Sequence, residues 1–269
     1  MITGTGATLL GAPLAWGADD LRLTGRRQQG GYVIGQTWPG AHIFVDDEAL
    51  TTASTNGRFI VGFDRDAPPA VRIEARDGSR AARRDVSIAR GEFPTTRIDG
   101  LPSSTVEPTE PALLKRIQQE VAIKAEGFAS RMNDDRFISG FDWPLETFRV
   151  SSLWGSQRIL NGTPARPHYG IDLATPQGTP IRAPAGGQVT LAHPDLHFEG
   201  GLVLIDHGQG LITAYLHQSE ILVAVGDQVS RGQIIGRVGM TGRATGPHLC
   251  WRMKWRDQNL DPSLMVTTA

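Results

Sequence analysis

Between Gly30 and Arg90 short apolar runs alternate with turn pairs. The runs are YVIG (32–35), HIFV (42–45), RFIVGF (58–63), VRIEA (71–75) and DVSI (85–88), separated by Pro39-Gly40, Asn56-Gly57, Pro68-Pro69 and Asp77-Gly78. In VRIEA, Val71, Ile73 and Ala75 fall on one face of a strand and Arg72 and Glu74 on the other, the period of two that a half-buried strand shows. Runs this short, bounded by Gly, Pro and Asn, predict a small antiparallel β-sandwich over residues 30–90. It contains no titratable cluster that suggests chemistry, so a spacer or targeting module is expected.

Residues 91–142 break the pattern. The stretch 91–108 is rich in Pro, Thr and Ser and reads as linker. In TEPALLKRIQQEVAIKAEGFASRM (109–132), Leu113, Ile117, Val121, Ala125, Phe128 and Met132 recur at steps of three and four. This predicts one amphipathic helix with Thr109 as N-cap and Pro111 in its first turn, its stripe packed between two domains. From Trp143 to the C-terminus the strand pattern returns, giving a second β domain over 143–269.

The first 18 residues, MITGTGATLLGAPLAWGA, carry no charge and precede DDLRLTGRR. They resemble the apolar region and cleavage site of a secretory leader, with Ala15 and Gly17 at the small-residue positions, although the basic start of such a signal is missing. The segment is too short and glycine-rich to span a bilayer, and no other apolar run approaches the needed length. No stable membrane span is expected.

Composition narrows the classes. Lys plus Arg number 27 against 28 for Asp plus Glu, so no charge excess points to nucleic acid or an anionic surface. The 32 glycines and 17 prolines favour a turn-rich, mainly β protein. A single cysteine excludes an internal disulfide.

The chemistry gathers in the second half. His168 and Asp172 stand four apart in RPHYGIDLATP, on one face of a strand-like run, about 13 Å apart along it if it is straight and closer if it bulges at Gly170. His248 and Cys250, in TGPHLCW, are two apart and also share a face. His217, in TAYLHQSE, comes from a third strand. Imidazole, carboxylate and thiolate are all zinc donors, and three of them plus a water make an open catalytic site. With His168, Asp172 and Cys250 as ligands, His217 and His248 are free to move protons or polarise a carbonyl.

The segments NGTPARPHYGIDLATPQGTPIRAPAGGQV, LVLIDHGQGLITAYLH and VGDQVSRGQIIGRVGMTGRATGPHL together resemble the lysostaphin/LytM-type zinc endopeptidases of bacterial cell walls, over about residues 150–262. The resemblance implies a β-barrel-like sandwich, Zn²⁺, a periplasmic or secreted location and hydrolysis of peptide bonds in peptidoglycan. It implies His168 and Asp172 as zinc ligands, from an H-x-x-x-D pair, and His217 and His248 as catalytic histidines. The third ligand position, a histidine in the family's H-x-H, is Cys250 here. As a thiolate ligand it would leave a formally neutral site whose zinc activates water less strongly. As a small buried hydrophobe it would mark a weakened or inactive relative that binds wall peptides or activates a partner hydrolase. The presence of His168, Asp172, His217 and His248 together favours a working metal site.

The run VGDQVSRGQIIGRVG also resembles the hairpins of biotinyl and lipoyl carrier domains, but no lysine lies between His217 and Pro247 to carry a cofactor. His42, His193 and His197 read as surface or loop residues, and His207 as a hydrogen-bonding partner of loop backbone. Trp143, Trp154, Trp251 and Trp255 suit a substrate groove or core packing equally.

Overall fold

The computed structural model of the chain describes residues 15–16, 20–78 and 80–267. The leader-like segment 1–18 lies outside the described residues except for Ala15–Trp16, a two-residue strand parallel to Arg80–Ser87.

Each apolar run of the first half becomes a strand: Tyr32–Gln36, His42–Val45, Arg58–Gly62, Ala70–Asp77 and Arg80–Ser87. Two further strands, Arg22–Arg26 and Glu48–Thr52, have mostly exposed side chains and no apolar alternation, so only their pairing with Tyr32–Gln36 and His42–Val45 defines them. The β structure therefore begins upstream of Gly30. It forms a five-stranded sheet in the order Ala15–Trp16, Arg80–Ser87, Ala70–Asp77, His42–Val45, Glu48–Thr52, and a three-stranded sheet of Arg22–Arg26, Tyr32–Gln36 and Arg58–Gly62. Val71, Ile73 and Ala75 are buried and Arg72 is exposed, as alternation requires. Glu74 departs from it: the carboxylate is buried because the Arg76 guanidinium closes over it, with Nε 2.8 Å away.

Within the stretch read as linker, Thr95–Ile98 is a strand that pairs in parallel with Gln157–Leu160, with Thr96 opposite Arg158. The helix runs from Pro111 to Phe128, and its N-cap is Glu110, not Thr109; the Glu110 carboxylate accepts from the Ala112 and Leu113 amides. Its packing also differs from the expected stripe. Val121 is 55% exposed, whereas Glu120 and Gly127 are buried. The helix leans on the strand Gly187–Leu196 and the turn after it through polar contacts: Glu120 accepts from the His197 amide at 2.9 Å and Lys124 pairs with Glu199 at 2.6 Å. Gly127 permits this approach, since a Cβ there would stand 2.9 Å from Leu204 and 3.1 Å from Leu191. Ion pairs override the apolar periodicity because the facing turn offers charged partners and backbone amides.

The second half is built on a ten-stranded sheet whose main path runs Arg149–Ser152, Ile171–Ala174, His248–Trp255, Leu211–Ile221, Gly200–Asp206, Gly187–Leu196 and Gln228–Val229. Alternation along its strands separates two apolar clusters. Leu249, Trp251 and Met253 join a core that continues into the N-terminal strands through Ile60 and Leu260. On the other face Leu202, Leu204, Ile212, Ala214 and Leu216 lie with Cys250 and take Phe128 of the helix. Trp154, Trp251 and Trp255 are buried, so they serve packing. The N-terminal unit docks on this domain by polar contacts as well, with Asp64 accepting from the Asn259 amide at 2.6 Å and Arg65 donating to the Gly155 carbonyl at 2.8 Å.

His207 sits in the core as a neutral imidazole. Its Nδ1 donates to the Gly186 carbonyl at 2.7 Å and its Nε2 faces the Thr213 hydroxyl at 2.7 Å, which in turn meets the Tyr215 hydroxyl at 2.8 Å. Burial pushes its pKa from 6.5 down to about 4. The unfolded chain takes up this proton more readily, so the stability contributed by neutral His207 is fully present above about pH 6.5 and is lost as pH falls towards 4. The loss is about 3 kcal/mol. Urea unfolding of the wild type and of His207→Gln at pH 7 and pH 4.5 checks this: the pH-dependent fall should be smaller in the variant.

Candidate functional site

The site grows out of strand pairing. Ile171–Ala174 lies antiparallel to His248–Trp255 with Asp172 directly opposite Cys250, so carboxylate and thiol project from the same face, the one towards the helix. His248 and Arg252, two residues either side of Cys250, share that face by alternation. His168 is not in the strand. The chain bends at Gly170, bringing the His168 Nε2 to 3.1 Å from Asp172 Oδ1 and 3.3 Å from Cys250 Sγ. The bend requires glycine, because a Cβ at Gly170 would stand 2.8 Å from both Cys250 Sγ and Arg252 Cγ. Gly170→Ala should therefore cost about 1–3 kcal/mol, read as a lowered Tm.

His217 is positioned by a break in the longest strand. Leu211–Ile221 pairs with His248–Trp255 as far as Leu216, opposite Cys250, and from Gln218 onward with Ile234–Val238. At the crossover His217 takes a left-handed φ of 66°, uncommon for a non-glycine residue, and its amide donates to the Glu199 carbonyl at 2.8 Å. The kink brings its ring to a centroid distance of 4.8 Å from His248.

Hydrogen bonds fix the tautomers. Nδ1 of His217 donates to the Thr241 carbonyl and Nδ1 of His248 to the Gly246 carbonyl, both at 2.8 Å, which leaves each Nε2 as a bare acceptor. Burial pushes the His217 pKa down to about 4 against the pull of the Thr241 carbonyl. Burial also lowers that of His248, opposed by Asp172. Both rings are therefore neutral near pH 7. Burial alone would raise the Asp172 carboxyl, but the contacts with His168 and Arg158 outweigh it and hold the group ionised, below the usual carboxylate range.

The three donors fit a divalent metal ion. His168, Asp172 and Cys250 each offer an atom within 4.8 Å of the others, and all three residues are buried. Asp172 Oδ2 accepts from Arg158 at 3.2 Å, while Oδ1 has no hydrogen-bond donor although His168 Nε2 is 3.1 Å away. A cation set between the three donors would engage this buried oxygen. His168 Nδ1 is held by Ser152 Oγ at 3.1 Å, an outer contact of the kind that orients a metal-binding imidazole. An N, O and S donor set suits zinc.

All five residues singled out from sequence come together here. Two arginines that the sequence reading left aside join them: Arg158 on Asp172, and Arg252, whose Nε donates to Cys250 Sγ at 3.4 Å. Burial works against the charge of Arg252, but Cys250, Glu199 and Asp172 more than offset this, and its pKa is raised. Arg252 was within reach of the period-two argument that paired His248 with Cys250. Arg158 lies on a separate ribbon and gives no such signal.

A β platform that converges three metal-binding donors beside two neutral imidazoles is the architecture of a metallohydrolase-type domain. Residues 166–262 match Peptidase family M23, and the chain carries a domain of that family. A stretch of 126 residues is 43% identical to the peptidoglycan DD-endopeptidase ShyA of Vibrio cholerae, covering 45% of this chain and 29% of that protein. A stretch of 119 residues is 41% identical to the DD-carboxypeptidase/endopeptidase Mpg of Neisseria meningitidis serogroup B, covering 44% and 27%. The chain thus matches less than a third of the length of these curated relatives. A solved structure from Pseudomonas aeruginosa, described as a candidate M23 peptidase, superposes with a TM-score of 0.67 at 29% identity, covering 90% of this chain and 95% of that one. This last likeness takes in the N-terminal strands as well as the M23 domain.

Proposed function

We propose that the protein is a zinc-dependent endopeptidase that hydrolyses peptide bonds of peptidoglycan in the bacterial periplasm or outside the cell. The observation that carries this reading is the convergence of His168 Nε2, Asp172 Oδ1 and Cys250 Sγ beside the open Nε2 atoms of His217 and His248. The names of the relatives, which act on peptidoglycan, support the substrate class. No helix among the described residues is long and apolar enough to cross a membrane.

His168, Asp172 and Cys250 would hold the zinc. When bound it supplies a Lewis acid that polarises the scissile carbonyl and lowers the pKa of water. His217 and His248 orient the attacking water, and the neutral Nε2 of either can accept its proton. The imidazole that has taken the proton becomes a donor, able to stabilise the tetrahedral oxyanion or to protonate the leaving amine. Arg158 and Arg252 hold the outer sides of the two anionic ligands. Each draws electron density away from its ligand, which offsets the extra negative charge that sulfur brings in place of imidazole and speaks for an active site over a silenced one.

The test is metal analysis joined to hydrolysis. Purified protein should contain about one zinc per chain and cleave cross-linked wall peptides, lose cleavage on chelation and regain it with added Zn²⁺. Protein that takes up no zinc and cleaves nothing when zinc is supplied would overturn the reading.

A further inference from the structure

His168, Arg158 and His217 line a common cavity of about 480 Å³. For His217 to accept a proton there, two conditions must hold at once: the backbone keeps its left-handed turn, and Nδ1 carries the ring hydrogen so that Nε2 is bare. A left-handed φ at a non-glycine residue persists only where the surroundings over-determine it. Contacts on three sides hold this one. The His217 amide donates to the Glu199 carbonyl at 2.8 Å, the Ser219 hydroxyl to the Val238 carbonyl at 2.9 Å, and the Thr241 hydroxyl to the Gln218 carbonyl at 2.9 Å. Only the last of these residues also reaches the ring. Thr241 Oγ1 accepts from the Gly201 amide at 3.0 Å, so one hydroxyl spends its hydrogen on one strand and a lone pair on the next. The carbonyl of the same residue accepts from His217 Nδ1 at 2.8 Å.

Thr241 stands in the turn between Ile234–Val238 and His248–Trp255, and the same turn supplies the Gly246 carbonyl that holds Nδ1 of His248. It packs against Gly200, where a Cβ would collide with the Thr241 hydroxyl. Two anchors do not involve that hydroxyl: the Arg243 amide donates to the Phe198 carbonyl at 2.9 Å and the His248 amide to the Gly239 carbonyl at 3.3 Å. Removing the hydroxyl therefore leaves the turn docked, while the Gly201 amide loses its acceptor and the Gln218 carbonyl loses a donor. We propose that Thr241 is a positioning residue for hydrolysis: its hydroxyl clamps the crossover so that its own carbonyl meets Nδ1 of His217 and the ring presents Nε2 to the reacting water. The inference rests on the peptidase reading above. Valine has the shape of threonine with neither donor nor acceptor, whereas serine has both. Once the carbonyl shifts away from Nδ1, nothing selects one tautomer over the other, and a ring with its hydrogen on Nε2 has no acceptor to offer there.

Zinc-loaded Thr241→Val and Thr241→Ser, each studied well below its Tm, test the clamp. The tautomer of His217 is read by nitrogen NMR of isotope-labelled histidine, with its signals assigned by their loss in His217→Ala. Thr241→Val should keep about one zinc per chain and lower kcat for wall peptides about 10–100-fold, with KM changed by less than about threefold. Its His217 should show both tautomers where the wild type shows hydrogen on Nδ1 alone. Thr241→Ser should stay within about threefold of the wild-type kcat and keep the single tautomer. A merely structural role would lower the Tm of Thr241→Val and leave kcat and tautomer of the folded protein unchanged; that result would overturn the proposal, as would a serine variant as impaired as the valine one. If Thr241→Val does not fold, Thr241→Ala gives the same readings, since its smaller side chain lets water reach the two freed backbone groups. Undiminished hydrolysis by Thr241→Val removes the clamp and leaves the peptidase reading standing. A wild type that cleaves nothing removes the peptidase reading, and the tautomer measurement then decides the clamp alone.

Discussion

His217→Ala should lower kcat for wall-peptide hydrolysis by about 10²–10⁴-fold while the zinc content of the protein stays the same. The two halves of this expectation come from different parts of the geometry. His217 is absent from the donor triangle, which His168, Asp172 and Cys250 complete among themselves. Its Nε2 is nonetheless unengaged, because Nδ1 is committed to the Thr241 carbonyl, and burial keeps the ring neutral. Removing it takes away a proton acceptor and nothing that holds the metal. Elemental analysis beside steady-state kinetics checks both halves, and a variant with undiminished turnover would remove His217 from the mechanism. His248→Ala should behave alike, with a milder fall if His217 does most of the proton transfer.

Cys250→Ser should have the opposite signature, loss of zinc first and of activity as its consequence. A neutral hydroxyl is a far poorer donor than a thiolate, and loss of a ligand from a three-residue set lowers metal affinity by more than the 10–100-fold typical of outer-contact mutations. Zinc content after dialysis against a weak chelator should fall from about one per chain to near none. Retention of zinc in this variant would exclude sulfur ligation and leave Cys250 as a small buried filler between Leu216 and Asp172. Cys250→His separates the remaining alternatives. An imidazole removes one negative charge from the ligand set, which should raise turnover if charge limits the rate; an unchanged or lower rate would mean that Arg252, bonded to the sulfur at 3.4 Å, has already compensated for it.

The donor residues were legible because strand periodicity is local. His248 and Cys250 share a face by alternation alone, and the antiparallel register that sets Asp172 against Cys250 confirms how the two motifs meet. His168 was legible only as a spacing, since its approach depends on the bend at Gly170 and not on a straight strand. His217 was legible as a candidate but its geometry was not: the left-handed backbone there arises where one strand changes partners within the sheet, a crossover that no window of sequence contains. Strands such as Glu48–Thr52 were missed for a related reason, being defined by a neighbour's edge and not by their own side chains. The helix was placed correctly in the chain but only part of its stripe packs, Leu113 and Ile117 half-buried and Phe128 against the second cluster while Val121 is exposed, because Glu120 and Lys124 found polar partners in Arg116, the His197 amide and Glu199.

The parallel pairing of Thr95–Ile98 with Gln157–Leu160 bears on how such proteins can be recombined. The segment that connects the two halves also supplies a neighbour to the strand carrying Arg158, so the C-terminal domain cannot be lifted out as a cassette beginning at Trp143. A graft made at that point would open a bare strand edge beside the cavity and leave Arg158 to find a new resting place. For this fold the natural unit of exchange begins upstream of Thr95, and a module swapped in front of it must bring or preserve that strand.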